Sequence, residues 1–158
     1  MRRGGQVYFV YNRIGFINAV EQFLRWLVPE ARIGLVHGRM PLQKLERTMI
    51  EFIERRYDLL LCTDLIESGM DIPSVNTMIV NRADMFGLSQ LYQLRGRVGR
   101  SYERAYAYFL IPGFAAITRD AQKHLQAINT FQELDSGYQL AVKDLEIRGA
   151  DELLNKQQ

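Results

Sequence analysis

Between Gln90 and Arg100 the chain reads QLYQLRGRVGR, and within it Gln93, Arg97 and Arg100 fall four and three residues apart. In a helix that spacing puts the three on one face, while Leu91, Leu94 and Val98 cover another. Guanidinium forks stay charged and match phosphate oxygens two at a time. A row of them beside an amide suits a polyphosphate whose terminal group is leaving. Gly96 and Gly99 each weaken a helix by roughly 1 kcal/mol relative to alanine, a cost that points to close approach by another surface. On spacing alone, an amphipathic helix with a solvated basic face and glycines at a frayed end explains the stretch equally well.

Such a helix needs a scaffold, and the rest of the chain supplies the pattern of one. Near-continuous apolar runs alternate with helix-period stretches, as expected for strands buried on both faces by crossover helices. The runs are QVYFVY (6–11), RIGLV (32–36), DLLLCT (58–63), NTMIV (76–80) and RAYAYFLI (104–111). Between the first two, Phe16, Val20, Phe23 and Leu27 recur at helical spacing; after the second, a helix opening at Pro41 carries Leu42, Leu45, Met49, Phe52 and Ile53. These stripes are expected to face the core. The fold class is therefore α/β, a parallel sheet covered by helices on both faces.

After Pro112 the alternation stops. Ala121, Leu125 and Ile128 share a helical face, and a shorter apolar stretch follows near Tyr138 to Val142 beyond the turn DSG. This predicts a C-terminal helical hairpin, with domains at 1–113 and 114–158. In open parallel sheets ligands sit beyond the carboxyl ends of the strands. That rule singles out the loops NRIG (12–15), HGRM (37–40), TDLIESGMDIP (63–73) and NRAD (81–84).

Bulk properties bound the function. With 158 residues, 47% of them hydrophobic, the chain can bury one sizeable core, and a net charge of +2 argues for no polyanionic partner by itself. Any such case rests on where the charges stand. A single cysteine, Cys62, set in LLLCT, excludes an internal disulfide and is expected to be a packed, reduced thiol in a cytoplasmic protein. No run approaches the ~20 apolar residues that span a bilayer, so no membrane partner is expected. MRRGG entering directly into core and LLNKQQ ending without a stop signal are expected of a piece of a longer chain.

Four stretches together resemble superfamily-2 helicases. QLRGRVGR resembles their motif VI, Gln-x-x-Gly-Arg-x-x-Arg; CTDLIESGMDIP resembles motif V; VYFVYNR is similar to motif IV, and VHGRM to the short motif between. They occur in the family's order. Within that superfamily, RGRVGRS, ESGMDIP and VKDLEIRGADELL resemble translocases of the transcription-repair coupling factor type and the related branch-migrating helicase RecG, with the coupling-factor pattern the closer.

The resemblance implies a second RecA-like motor domain followed by the translocation motif. Gln93, Arg97 and Arg100 would then face ATP, with Arg100 the arginine finger and Arg97 its neighbour on the γ-phosphate, while Gly69 and Asp71 would close the ribose side. Asn12, Arg13, His37, Gly38, Arg39 and Thr63 would line a double-stranded DNA track through phosphates. Arg148, Glu146 and Gln158 would couple hydrolysis to movement, together with His124, which stands where the family carries arginine. The chain has no G-x-x-x-x-G-K-[ST] loop and no Asp-Glu box. ATP and its Mg²⁺ are thus expected to be held mainly by a partner, the first RecA-like domain of the same protein, no metal site is expected in this chain, and this chain alone should not turn ATP over. Implied functions are displacement of stalled RNA polymerase in transcription-coupled repair, RecG-like branch migration, or, in a different class, non-catalytic holding of nucleic-acid phosphates.

Overall fold

Strands that are apolar at nearly every position are stable only when both sheet faces are covered. The computed structural model describes residues 4–63, 72, 74–98 and 104–130. Its strands are β1 (Gln6–Tyr11), β2 (Ile33–Val36), β3 (Leu59–Cys62), β4 (Val75–Asn81) and β5 (Tyr106–Leu110). They form one sheet in the order β2-β3-β1-β4-β5. β1 runs parallel to β3 and to β4, and β2 runs parallel to β3. The α/β parallel-sheet expectation therefore holds, and all five apolar runs are strands.

Parallel neighbours need crossover connections of fixed hand. The chain leaves β1 in one direction across the sheet to reach β2 and returns in the other to reach β3, which puts the two intervening helices on opposite faces. α1 (Ile17–Leu27) contributes Ile17 and Leu24 to a core with Phe9, Ala31, Ile33, Leu59 and Leu61. Side chains alternate along a strand, so Tyr8 points to the other face. There its ring lies 5.5 Å from that of Phe52, on α2 (Leu42–Ile53).

The buried stripes differ from those expected. On α1, Phe16, Phe23 and Leu27 are 62%, 55% and 54% exposed, and burial falls on Ile17 and Leu24 with Val20 partly covered. On α2, Leu42 and Ile53 are exposed, and Thr48 joins Met49 and Phe52 in the interior. The Thr48 hydroxyl donates to the Lys44 carbonyl at 2.9 Å, which is how a polar residue is accommodated there. α1 is rotated about one residue, ~100°, from the expected face, whereas α2 keeps Leu45 partly covered and Met49 and Phe52 buried, as expected.

Two features anchor the amino ends of the strands. α2 stops through a left-handed residue, Arg55 (φ 61), with Arg55 N–H donating to Phe52 O and Arg56 N–H to Glu51 O. This is the Schellman arrangement without its usual glycine. Arg32 then clasps Asp58: Nη2 donates to Oδ1 at 2.8 Å, and Nε and the backbone N–H both donate to Oδ2 at 2.9 Å. Next to it Gly34 is required by packing, since a Cβ there would lie 2.9 Å from the Tyr57 ring.

The chain divides into two compact units. One comprises the described residues up to Asn81 together with Arg97–Phe109; the other comprises Arg82–Gly96 together with the described residues from Leu110 onward. The expected boundary at residue 113 differs from this division, because residues 82–96 group with the C-terminal part. The second unit contains a short 3-10 turn at Ala83–Met85, α3 (Leu88–Arg95) and α4 (Arg119–Thr130), with α4 packed on both α3 and the turn. Leu88, Leu91 and Leu94 are buried on α3, as are Ala121, Ala127 and Ile128 on α4. The expected second hairpin helix and the DSG turn lie outside the described residues.

Phe52 is fully buried and Ile53 is 47% exposed. Phe52→Ala should therefore destabilise the chain by about 3–5 kcal/mol in denaturant unfolding, and Ile53→Ala by about 0.5 kcal/mol or less; comparable losses would contradict the observed helix face. The Arg32 side-chain hydrogen bonds hold the Asp58 carboxyl below its usual range, against the opposing effect of burial. A folded-state pKa below the unfolded value of about 3.9 stabilises the fold above that pH and ceases to do so as the pH falls through the folded value. Asp58→Asn should accordingly lower the melting temperature at pH 7 and leave it little changed near pH 2, as read by melts across that range.

Candidate functional site

The register of the sheet decides which side chains meet. Val10 and Val36 both pair with Cys62, and Val10 also pairs with Val80, so four strands end at one level. The residues that follow are Tyr11 with Asn12 and Arg13, His37 with Gly38 and Arg39, Thr63, and Asn81. Three separate loops therefore deliver the expected phosphate-contacting residues to one edge of one unit. Asn12, Arg13, Gly38 and Arg39 are exposed there.

The members of this row play different parts. His37 Nδ1 accepts a hydrogen bond from the Arg39 backbone N–H at 3.3 Å, and its carbonyl accepts from Met40 N–H at 3.0 Å. It shapes the turn that presents Gly38 and Arg39. Arg13 sits at the entry of the 3-10 turn Ile14–Phe16, with its carbonyl accepting from Phe16 N–H at 3.1 Å. Its side chain is left to project outward. Thr63 is 2% exposed, and its Oγ1 is buried with no hydrogen-bond partner among the described residues. A buried hydroxyl left so costs about 1–3 kcal/mol, which marks the end of β3 as a place where a donor or acceptor is wanted. Cys62 beside it is a buried thiol whose Sγ donates to the Phe9 carbonyl at 3.6 Å, a packing role as expected.

The stretch 90–100 departs from a continuous helix. α3 opens with the Gly87 N–H donating to Gln90 Oε1 at 3.0 Å and closes at Arg95, with the Gly96 N–H donating to Tyr92 O at 3.0 Å. Gln93 is exposed on α3, but Arg97 lies past its end and is half-buried. The interval from Gln93 to Arg97 runs across the end of α3, through Gly96, whose backbone is αR (φ −67, ψ −7). Among the described residues, the nearest atoms to a Cβ at Gly96 are carbonyl oxygens of Tyr92 and Gln93, at 3.5 Å. Arg100, Gly69, Asp71, Arg148, Glu146 and Gln158 lie outside the described residues. His124 is half-buried on α4, and its Nε2 has no hydrogen-bond partner among the described residues.

One arrangement escaped the sequence reading. Arg82, in the loop NRAD, adopts a left-handed backbone (φ 56, ψ 51), and its guanidinium grips Asp84 through Nε–Oδ1 at 2.9 Å and Nη2–Oδ2 at 2.7 Å. The loop had been marked by its place after a strand, but an arginine two residues before an aspartate carries no sequence signal of such a clasp. The surface groove along α2 between Gln43, Arg47, Ile50 and Arg56 includes none of the candidate residues.

Comparison with known proteins places this geometry. The model of the helicase conserved C-terminal domain matches residues 1–102. The transcription-repair-coupling factor of Myxococcus xanthus is 58% identical over 156 residues, 99% of this chain and 13% of that protein. That of Escherichia coli (strain K12) is 54% identical over 156 residues, 99% of this chain and 14% of that protein. That of Staphylococcus aureus (strain USA300) is 51% identical over 158 residues, 100% of this chain and 14% of that protein. The chain therefore spans 13–14% of the length of these relatives. Among solved structures, RecG bound to a three-way DNA junction superposes with a TM-score of 0.77 at 36% identity, over 91% of this chain and 19% of that one. The C-terminal domain of the DEAD-box protein Dbp5 gives 0.63 at 19% identity, over 80% of this chain and 69% of that one, a likeness of fold alone. With residues 1–102, and so four of the five strands and the loops at their carboxyl ends, inside the matched segment, the chain belongs to the helicase conserved C-terminal domain family.

Proposed function

We propose that this chain is the C-terminal half of an ATP-dependent motor that translocates on double-stranded DNA and, in its full-length protein, displaces stalled RNA polymerase in transcription-coupled repair. The observation that carries this reading is the row of donors beyond β1, β2 and β3, in a chain 51–58% identical along essentially its whole length to transcription-repair-coupling factors. A branch-migrating role like that of RecG is the second reading, supported by the 36% identity and TM-score of 0.77 to that helicase. Its lower identity ranks it behind.

Asn12, Arg13, Gly38 and Arg39 expose amide, guanidinium and backbone donors on separate loops. That composition suits phosphate contacts, which fix register on a duplex and carry no sequence information. Thr63 adds a hydroxyl that has no hydrogen-bond partner among the described residues.

ATP supplies the phosphoryl transfer when bound, with its Mg²⁺ and phosphate cradle on the first RecA-like domain. Arg97 and Arg100 are assigned to stabilise the charge that develops on the γ-phosphate, and Gly69 and Asp71 to the ribose side. A half-buried guanidinium such as Arg97 acts more strongly on a phosphate than a fully solvated one, because less water screens it. Arg148, Glu146, Gln158 and the region of His124 are assigned to coupling, and the chain by itself to no ATP turnover.

Removing an arginine finger lowers phosphoryl-transfer turnover by about 10³–10⁵-fold. In the full-length protein Arg100→Ala should lower DNA-stimulated ATPase kcat on that scale while DNA affinity stays near wild type; unchanged turnover would leave the chain as a passive phosphate-binding module. Each phosphate contact contributes about 0.9 to the slope of log K against log salt on duplex DNA. Arg13→Ala and Arg39→Ala should each reduce that slope by about this amount, and equally on unrelated duplex sequences, in fluorescence anisotropy titrations. A loss confined to particular sequences would count against a phosphate track.

A further inference from the structure

Of the arginines between Gln90 and Arg100, Arg95 occupies a position that the pattern Gln-x-x-Gly-Arg-x-x-Arg leaves open. It is the last residue of α3, and its guanidinium lies 5.3 Å from the centroid of the Tyr92 ring, one turn back on the same helix. That contact restricts an otherwise flexible side chain. From there Nη1 donates to the carbonyl oxygen of Ile128, on α4, at 3.2 Å.

The acceptor is well chosen. Ile128 is one of the buried residues of α4, with Ala121 and Ala127. It is 3% exposed, so water competes little for the bond. The two helices pack closely, and α4 rests as well on the Ala83–Met85 turn, beside which Arg82 clasps Asp84, whose side chain is 7% exposed. Apolar faces permit sliding and rotation at small cost, whereas a guanidinium-to-carbonyl bond fixes where one helix lies along the other. On α4 itself, His124 offers no equivalent, since its Nε2 finds no partner among the described residues.

We infer that Arg95 is a positioning residue that locks α4 to α3 through the Ile128 carbonyl, so that a movement of α3 during the nucleotide cycle is transmitted to α4. This rests on the motor reading above, and it places a coupling element outside the residues the family pattern assigns. Arg95 touches neither nucleotide nor DNA in this role; it acts through α4.

The test uses the full-length protein, with DNA-stimulated ATPase and triplex displacement measured side by side for wild type, Arg95→Ala and Arg95→Lys. Arg95→Ala should keep ATP turnover within about twofold of wild type while displacement per ATP falls about tenfold or more, the scale of a coupling interaction. Arg95→Lys, which retains a cationic donor able to reach a carbonyl, should recover most of the displacement. Turnover and displacement falling in proportion, without recovery by lysine, would overturn the inference, as would an alanine variant that displaces as well as wild type. Should alanine prevent folding, Arg95→Gln, which keeps part of the stem without the charge, is read in the same way. A wild type that hydrolyses ATP on DNA but displaces nothing would instead sink the motor reading, and this inference with it.

Discussion

The amide of Gln6 sets the register on which the site depends. A parallel sheet that is apolar on both faces is poorly protected against a one-residue slip, because hydrophobic side chains go to hydrophobic surroundings either way. Gln6 breaks that degeneracy. It is 5% exposed; its Nε2 donates to Phe52 O at 2.8 Å and Tyr57 O at 2.6 Å, its Oε1 accepts from the Ser74 hydroxyl, and its N–H donates to Ser74 O at 2.8 Å. Slipping β1 by one residue would turn the amide to the α1 face and strand several buried polar groups, at about 1–3 kcal/mol each. The tie at the amino end of β1 thereby decides which residues emerge at its carboxyl end.

What emerges is a set of exposed donors at one edge of a chain whose net charge is only +2. Among the described residues of the first unit, several acidic side chains are engaged away from that edge: Glu21 with Arg25, Glu51 with Arg47 and Tyr57, and Asp58 with Arg32 at the opposite end of the strands. Arg13 and Arg39, by contrast, stand on turns at the carboxyl edge. Distribution along the strand axis, and not total charge, gives that edge its character. His37 belongs to the same edge, and its ring serves the turn by accepting from the Arg39 N–H.

Strands were legible in the sequence because a run of four to six apolar residues has no other home in a chain of this size. Helix faces were less so. Around α1 apolar residues occupy more than one stripe: Phe16, Val20, Phe23 and Leu27 fit a helical period, and so do Ile17, Val20, Leu24 and Val28. Periodicity cannot choose between them; the sheet does, through Phe9, Leu59 and Leu61. α2 posed the same ambiguity, sharpened by Thr48, which reads as polar until its hydroxyl is seen returning to the Lys44 carbonyl. The left-handed arginines at positions 55 and 82 had no signal at all, since such turns usually advertise themselves by glycine or asparagine. The loops at the strand ends were found by rule, and their residues by resemblance, but the clasp of Arg82 on Asp84 needed coordinates.

The arginine-rich stretch that first drew attention resolves once the end of α3 is known. α3 ends at Arg95. Arg95 stays with α3 and turns to α4, while Arg97, two residues on, belongs to the compact unit of the sheet. Gly96 is what permits this. Its αR conformation (φ −67, ψ −7) is open to any residue, so left-handed freedom is not the reason for glycine, and a Cβ there would meet only ordinary contacts. The reason lies in helix propensity: glycine weakens continuation by roughly 1 kcal/mol relative to alanine, enough to favour release of the chain at that point. Alanine at 96 would meet ordinary carbonyl contacts among the described residues and would favour continuation of α3 by that same amount.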